Sequence, residues 1–246
     1  MSLQTEMQTQ GNFLFRNRSY LPLIFLATGL AVSLYGEYYE VGGSDNVFEE
    51  YFEFICLGIC LVGLMIRIKS VGHSGKNTSG RNTKVGQVAD ELNTSGLYSI
   101  VRHPLYVGNF FMWLGIAMLT ENLWFTIAFI LLYTVYYERI MYAEEQYLIA
   151  KFGDQYTDWS ATTPAFIPDF KQYRKPKYPF NIRKVIKKEK NGLVAIFALF
   201  WLFEWASDTL ENGITYFEFS GWFWTAIGMG LLYLILKILK KRKMLW

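Results

Sequence analysis

Apolar residues are not spread evenly along this chain. They gather in six blocks, at 20–36, 52–68, 105–120, 123–142, 193–206 and 222–239. Most approach the ~20 residues that carry a helix across the hydrocarbon of a bilayer. The fifth is short, with Glu204 and Asp208 crowding its end. The pattern predicts an all-α integral membrane protein of about six transmembrane helices, and blocks of that length argue against a soluble helical bundle. Only Glu121 and Asn122 separate the third block from the fourth, so these two form a tight antiparallel hairpin. The fourth helix continues past its apolar block. "ERIMYAEEQYLIAKFG" keeps Ile140, Tyr147, Leu148 and Ile149 at helical spacing and ends at Gly153, a natural C-terminal cap. Glu138, Glu144 and Glu145 therefore project into the interface.

Composition alone hides this organisation. The chain has 246 residues, 52% of them hydrophobic, yet its mean hydropathy is only +0.15 because polar loops dilute the blocks. Charge restores the picture. Of 24 Lys and Arg, two precede the first block, six lie between 67 and 102, eleven between 139 and 190, and five in the tail from Lys237. The alternate connections hold none. Cations flanking membrane spans stay cytoplasmic. Both termini and the two long loops are thus expected inside. Arg16 and Arg18 before an apolar run ending at Ala31-Val32-Ser33 also resemble a signal peptide, but a retained first anchor completes an even number of spans.

The chain divides into a polar and mobile N-terminal segment (1–19), two helices with a loop (20–89), a central region around the hairpin (90–170), a basic linker (171–191) and a C-terminal helix pair (192–246). The loop at 71–95 is rich in Gly, Ser, Asn and Lys, as irregular loops are. The linker interleaves Tyr173, Tyr178 and Phe180 with its cations and reads as an anchor on anionic lipid. A net charge of +3 on a membrane-tethered chain does not suggest nucleic-acid binding. Cys56 and Cys60 lie on one face of the second helix and read as small apolar residues. With His73 and His103 they cannot build a metal site. No dinucleotide fingerprint, phosphate loop or G-x-S-x-G elbow is present.

Candidate chemistry lies in "YSIVRHPLYVGNFF", residues 98–111. Pro104 suits the first turn of a helix, where its missing N–H costs nothing. The third span then begins at His103, and free N–H groups at a helix start, with Arg102 beside them, suit a carboxylate or phosphate. The plainer alternative is a helix start marked by surface cations. Glu144 and Glu145 sit at the same level on the next helix. Alone they read as a solvated face, but opposite Arg102 and His103 they suggest a polar pocket.

These residues carry a resemblance. Gly96 and Tyr98, then Arg102, His103, Pro104, Tyr106 and Gly108, then Glu144, Glu145 and Leu148, then Phe152, Gly153, Tyr156 and Pro168 are similar to the signature of the isoprenylcysteine carboxyl methyltransferase and phospholipid methyltransferase superfamily. The likeness covers about residues 90–170. It implies an integral-membrane methyltransferase using S-adenosylmethionine, with a cytoplasmic cofactor pocket at the mouth of the third–fourth helix hairpin. Carried over, cofactor contacts fall on Asp90, Glu91, Leu92, Asn93, Tyr98, His103, Pro104, Leu105, Tyr106 and Glu144. Catalytic roles fall on Arg102, His103, Arg139 and Glu145. This chain departs from the pattern at one place. The family arginine four residues before the first glutamate is Ile140 here, and Arg139 is one residue, about 100° of helix, away.

The chemistry agrees with such a pocket. Arg102 and helix-start N–H groups suit the donor's carboxylate, Glu144 its ammonium, and Tyr98 or Tyr106 its sulfonium. Methyl transfer is an in-line displacement promoted by positioning. An anionic acceptor oxygen, from a prenylcysteine carboxylate or a lipid phosphate, needs no base; an amine does. Two other classes compete. Membrane sterol or isoprenoid reductases use NADPH on similar hairpins but tend to carry H-P-N-Y. A transporter or scaffold calls for ionisable groups inside the spans, and the spans are nearly free of them.

Overall fold

The computed structural model describes residues 2–39, 47–75, 78, 87–213 and 217–241. The glycine-rich part of the first long loop, most of the first connection and the last tail cations, Arg242 and Lys243, lie outside the described residues. Eight helices follow one another among the described residues: α1 (Leu3–Asn17), α2 (Leu21–Tyr39), α3 (Val47–Gly72), α4 (Pro104–Met118), α5 (Leu123–Phe152), α6 (Asp154–Thr162), α7 (Ile182–Asn212) and α8 (Gly221–Lys241). They hold no strand, only an isolated bridge between Gly96 and Arg174. The all-α expectation holds.

Among the described residues, four helices are long and apolar enough to cross a membrane: α3 from Tyr51, α5, α7 and α8. The bent pair α1–α2 makes a fifth if it is counted as one span. The chain is an integral membrane protein. Six spans are expected from the sequence; α4 is apolar but has 15 residues.

Local chemistry explains the boundaries. Pro104 is the first residue of α4. The turn after α4 puts Glu121 at φ 53, and Asn122 caps α5 by accepting from the Phe125 N–H at 2.9 Å. α5 runs without a break to Phe152. Gly153 ends it at φ 53, donating to the Ile149 carbonyl at 2.9 Å. The expected extension of the fourth helix is therefore present.

Two segments differ from expectation. The polar N-terminus forms α1, capped by Ser2, whose hydroxyl accepts from the Thr5 N–H at 3.3 Å. The basic linker is irregular only to 181, because 182–191 is the first part of α7. Lys and Arg are good helix formers, and no proline interrupts that stretch.

The described chain separates into two compact units. The first comprises Met1–Ile24, Ile66–Gly108 and Ile130–Asn181; the second comprises Phe25–Met65, Asn109–Phe129 and Ile182–Trp246. In the second, Cys56 and Cys60 are fully buried. Cys60 donates through Sγ to the Met112 carbonyl at 3.2 Å, and a side chain at Gly115 would overlap the Cys56 backbone. Both cysteines thus act as small packing residues. In the first unit, Gly11 of α1 lies directly on α5, where a Cβ would overlap the Arg139 carbonyl oxygen and stand 2.7 Å from Ala143 Cβ. Phe15, one turn further, is buried. The first unit contains the candidate site.

Candidate functional site

Gly96 starts the site's local structure. Its φ of 62 favours glycine, and it leads into a 3-10 turn at Leu97–Ser99. Ser99 accepts from the Arg174 N–H at 2.8 Å, and Gly96 donates to the Arg174 carbonyl at 3.0 Å. The next residues are held by the loop after α6. Arg102 and His103 donate their N–H groups to the Pro164 and Ala165 carbonyls at 2.8 and 3.2 Å. Tyr106 N–H goes back to the His103 carbonyl at 3.0 Å. These backbone donors, expected from the sequence to await an anion, are committed within the protein.

The side chains converge on two adjacent glutamates of α5. Arg102 Nε donates to Glu145 Oε1 at 2.9 Å, and its Nη1 donates to the Ser160 and Thr163 carbonyls at 2.8 and 3.0 Å. His103, 6% exposed, sits 2.9 Å from the same Oε1 through Nε2. A carboxylate only accepts, so this nitrogen carries the proton. Nδ1 then faces Glu144 Oε2 at 3.7 Å. Tyr106 donates its hydroxyl to that oxygen at 2.8 Å. The Glu144 side chain is 30% exposed.

The two acids thus differ in kind. Glu145 joins Arg102, His103 and, through Arg102, the end of α6. Glu144 presents a partly exposed carboxylate beside aromatic rings. His103 stacks on Tyr106 at 5.6 Å, and Tyr137 packs against Tyr106 at 4.8 Å. Tyr133 donates to the Tyr106 carbonyl at 2.7 Å and stacks on Tyr137 at 4.2 Å. Sequence reasoning missed Tyr133, Tyr137 and Tyr136, which packs edge-on against Tyr137 at 5.0 Å. Their i, i+3, i+4 spacing marks one helix face, but it lies inside an apolar block.

Tyr98 stands near enough to Glu144 to feel its charge. Burial, and after it that carboxylate, raises the Tyr98 phenol above the ordinary tyrosine range. Burial and the Glu145 charge do the same for Tyr156. Both phenols remain neutral donors at physiological pH. Pro104 is fully buried and Leu105 half-buried at the start of α4.

Other expected residues lie elsewhere. Asn93 accepts from the Gly75 N–H at 3.1 Å, and Glu91 accepts from the Tyr178 hydroxyl at 2.6 Å. Those bonds, in the 90–93 stretch with Asp90 and Leu92, run to the first loop and the linker rather than to Glu144. Arg139 does not join the cluster; its ion pair is with Glu138 at 4.0 Å. Ile140, which replaces the family arginine, is completely buried. An open cleft of about 680 Å³ borders Arg102, lined by residues of 160–172 including Thr163, Ile167 and Gln172.

Known proteins match part of this chain. The family profile for phospholipid methyltransferase matches residues 52–155. A protein-S-isoprenylcysteine O-methyltransferase of Schizosaccharomyces pombe is 32% identical over 124 residues, 50% of this chain and 52% of that protein. Its counterpart in Tribolium castaneum is 28% identical over 120 residues, 49% of this chain and 43% of that protein. The cobalt-zinc-cadmium resistance protein CzcN of Cupriavidus metallidurans is 36% identical over 89 residues, 36% of this chain and 41% of that protein. The chain spans about half the length, or less, of these relatives. The R-H-P-x-Y turn and the E-E pair bonded to it lie within the matched residues 52–155, and there the chain is similar to the phospholipid methyltransferase family.

Proposed function

We propose that this protein transfers a methyl group from S-adenosylmethionine to a membrane lipid or lipidated acceptor, at an anionic oxygen. The proposal includes six transmembrane helices, with termini and cofactor pocket on the cytoplasmic side at the mouth of the α4–α5 hairpin. The observation that carries it is the Tyr106–Glu144 hydrogen bond, which sets a partly exposed carboxylate beside aromatic rings.

The residues present fit such a donor. Glu144 Oε1 suits its ammonium. The faces of Tyr98, Tyr106 and His103 suit a sulfonium cation and a flat base. Leu105 and the 90–93 stretch (Asp90, Glu91, Leu92 and Asn93) extend the contact surface carried over from the family. When bound, the donor supplies an electrophilic methyl group. Arg102 and Glu145 position: their mutual pair and the bonds to Ser160 and Thr163 hold the His103 turn against α5. Burial of His103 excludes water from one side of the site. An ionised carboxylate or phosphate oxygen gives up no proton, so neither glutamate has to act as a base.

The test is incubation of the purified protein with a lipid extract and prenylated peptides in the presence of methyl-labelled donor, followed by separation by head group. Label in a lipid or prenylated fraction is expected, and release of the label by mild base identifies a carboxyl ester. No transferred label, with NADPH consumed instead, would overturn the reading.

A further inference from the structure

The segment between α6 and α7 holds only one 3-10 turn, at Phe170–Gln172, yet it is tied inward along its length. Asp169 N–H donates to the Ile100 carbonyl at 2.9 Å, Lys177 N–H to Ser95 Oγ at 3.0 Å, and Asn181 N–H to the Gly72 carbonyl at 2.9 Å. These bonds join the contacts of Pro164, Ala165 and Arg174 with the turn before α4. A backbone held in this way presents an outward set of side chains. Ile167 is 80% exposed, Phe170 75% and Tyr173 55%. Neighbouring apolar groups that project this far on a pinned loop mark a surface that meets something other than water.

Charge says what it meets. Lys171, Arg174, Lys175 and Lys177 are exposed around those three residues. The one acid between 163 and 181, Asp169, is bonded within its own turn, accepting from the Lys171 N–H at 3.1 Å and from the Gln172 side-chain Nε2 at 2.9 Å. The loop's bonds to Arg102 and His103 place it at the N-terminal end of the apolar helix α4, which begins at Pro104.

We propose that Ile167, Phe170 and Tyr173 form a rigid wedge seated in the head-group layer of an anionic bilayer, with Lys171 and Lys175 against the lipid phosphates. Apolar rings inserted among head groups beside cations is the pattern of interfacial anchoring. Because the same loop accepts the Arg102 and His103 N–H groups, the wedge sets the depth of that turn. The inference does not depend on the chemistry performed at the site.

The test uses the full chain in nanodiscs at one copy per disc. Cys56 and Cys60 have no exposed surface, so a fluorophore placed on Phe170→Cys reports that position alone. Nitroxide lipids labelled near the head group are expected to quench it at least twofold more than they quench a label on Asp158→Cys. Phosphatidylglycerol should increase the quenching over neutral lipid, and adding Lys171→Glu with Lys175→Glu should abolish that increase. Ile167→Cys provides a second site should the first variant misfold. Ready quenching by aqueous iodide would overturn the proposal. So would shielding from both quenchers, which would mean a protein partner or a second copy covers the loop, and so would equal quenching in neutral and anionic lipid.

Discussion

The Tyr106 hydroxyl donates to the Glu144 carboxylate at 2.8 Å, so the first turn of α4 and the C-terminal third of α5 share one polar cluster. That relationship makes Glu144 the residue whose charge a ligand meets. Glu144→Gln is expected to weaken donor binding by about 1.5–3 kcal/mol, the range for a hydrogen bond to a charged group. Tyr106→Phe is expected to cost about 0.5–1.5 kcal/mol. Calorimetric titration of both variants checks this, and unchanged affinity in Glu144→Gln would remove Glu144 from the site.

Glu145 should behave in the opposite way. Its carboxylate holds Arg102 and His103, and Arg102 holds the end of α6. Both charged groups are partly exposed, at 18% and 20%, which screens the pair. Glu145→Gln is expected to lower stability by on the order of 1–3 kcal/mol, seen as a lower unfolding temperature in detergent. Glu144→Gln should leave that temperature nearly unchanged. The same loss of stability in both variants would contradict the division of roles.

α1 offers a test remote from the cluster. Since a side chain at Gly11 overlaps the Arg139 carbonyl, Gly11→Val must displace α1 or α5. Overpacking of this kind costs about 1–3 kcal/mol. Faster tryptic cleavage at Arg16 and Arg18 is the expected readout. Protection equal to wild type would show that α1 does not rest on α5 in the membrane.

Orientation is tested by labelling single cysteines in intact cells. The cation distribution predicts that Gly43→Cys reacts with an impermeant reagent from outside and that Gly80→Cys does not. Reaction of Gly80→Cys from outside would reverse the topology.

The features legible in the amino-acid sequence follow a physical rule. Pro104 and Gly153 announce helix ends through backbone geometry, and apolar spacing after Tyr142 carries α5 onward to Phe152. Arg102, His103, Tyr106, Glu144 and Glu145 are legible as a group because their spacing matches a motif and the hairpin brings them level. Which glutamate meets Arg102 is not legible. Adjacent helix residues point about 100° apart, and a small rotation of α5 exchanges them. The docking of α1 is hidden as well, because it depends on Gly11 meeting one carbonyl of α5, far along the chain. Tyr133 and Tyr137 are concealed by standing in an apolar block, where a tyrosine reads as lipid-facing. Lys-rich 182–191 reads as linker from charge, although as the start of α7 it buries Val185 and Glu189.

The central claim is that the cluster around Tyr106 and Glu144 receives S-adenosylmethionine. Isothermal titration of the purified wild-type protein with S-adenosylmethionine and, separately, with NADPH tests it most directly. Saturable binding of the methyl donor in the micromolar range, a typical order of magnitude for an enzyme's substrate, with none of NADPH, is the predicted result. Binding of NADPH with no heat from the methyl donor would contradict it.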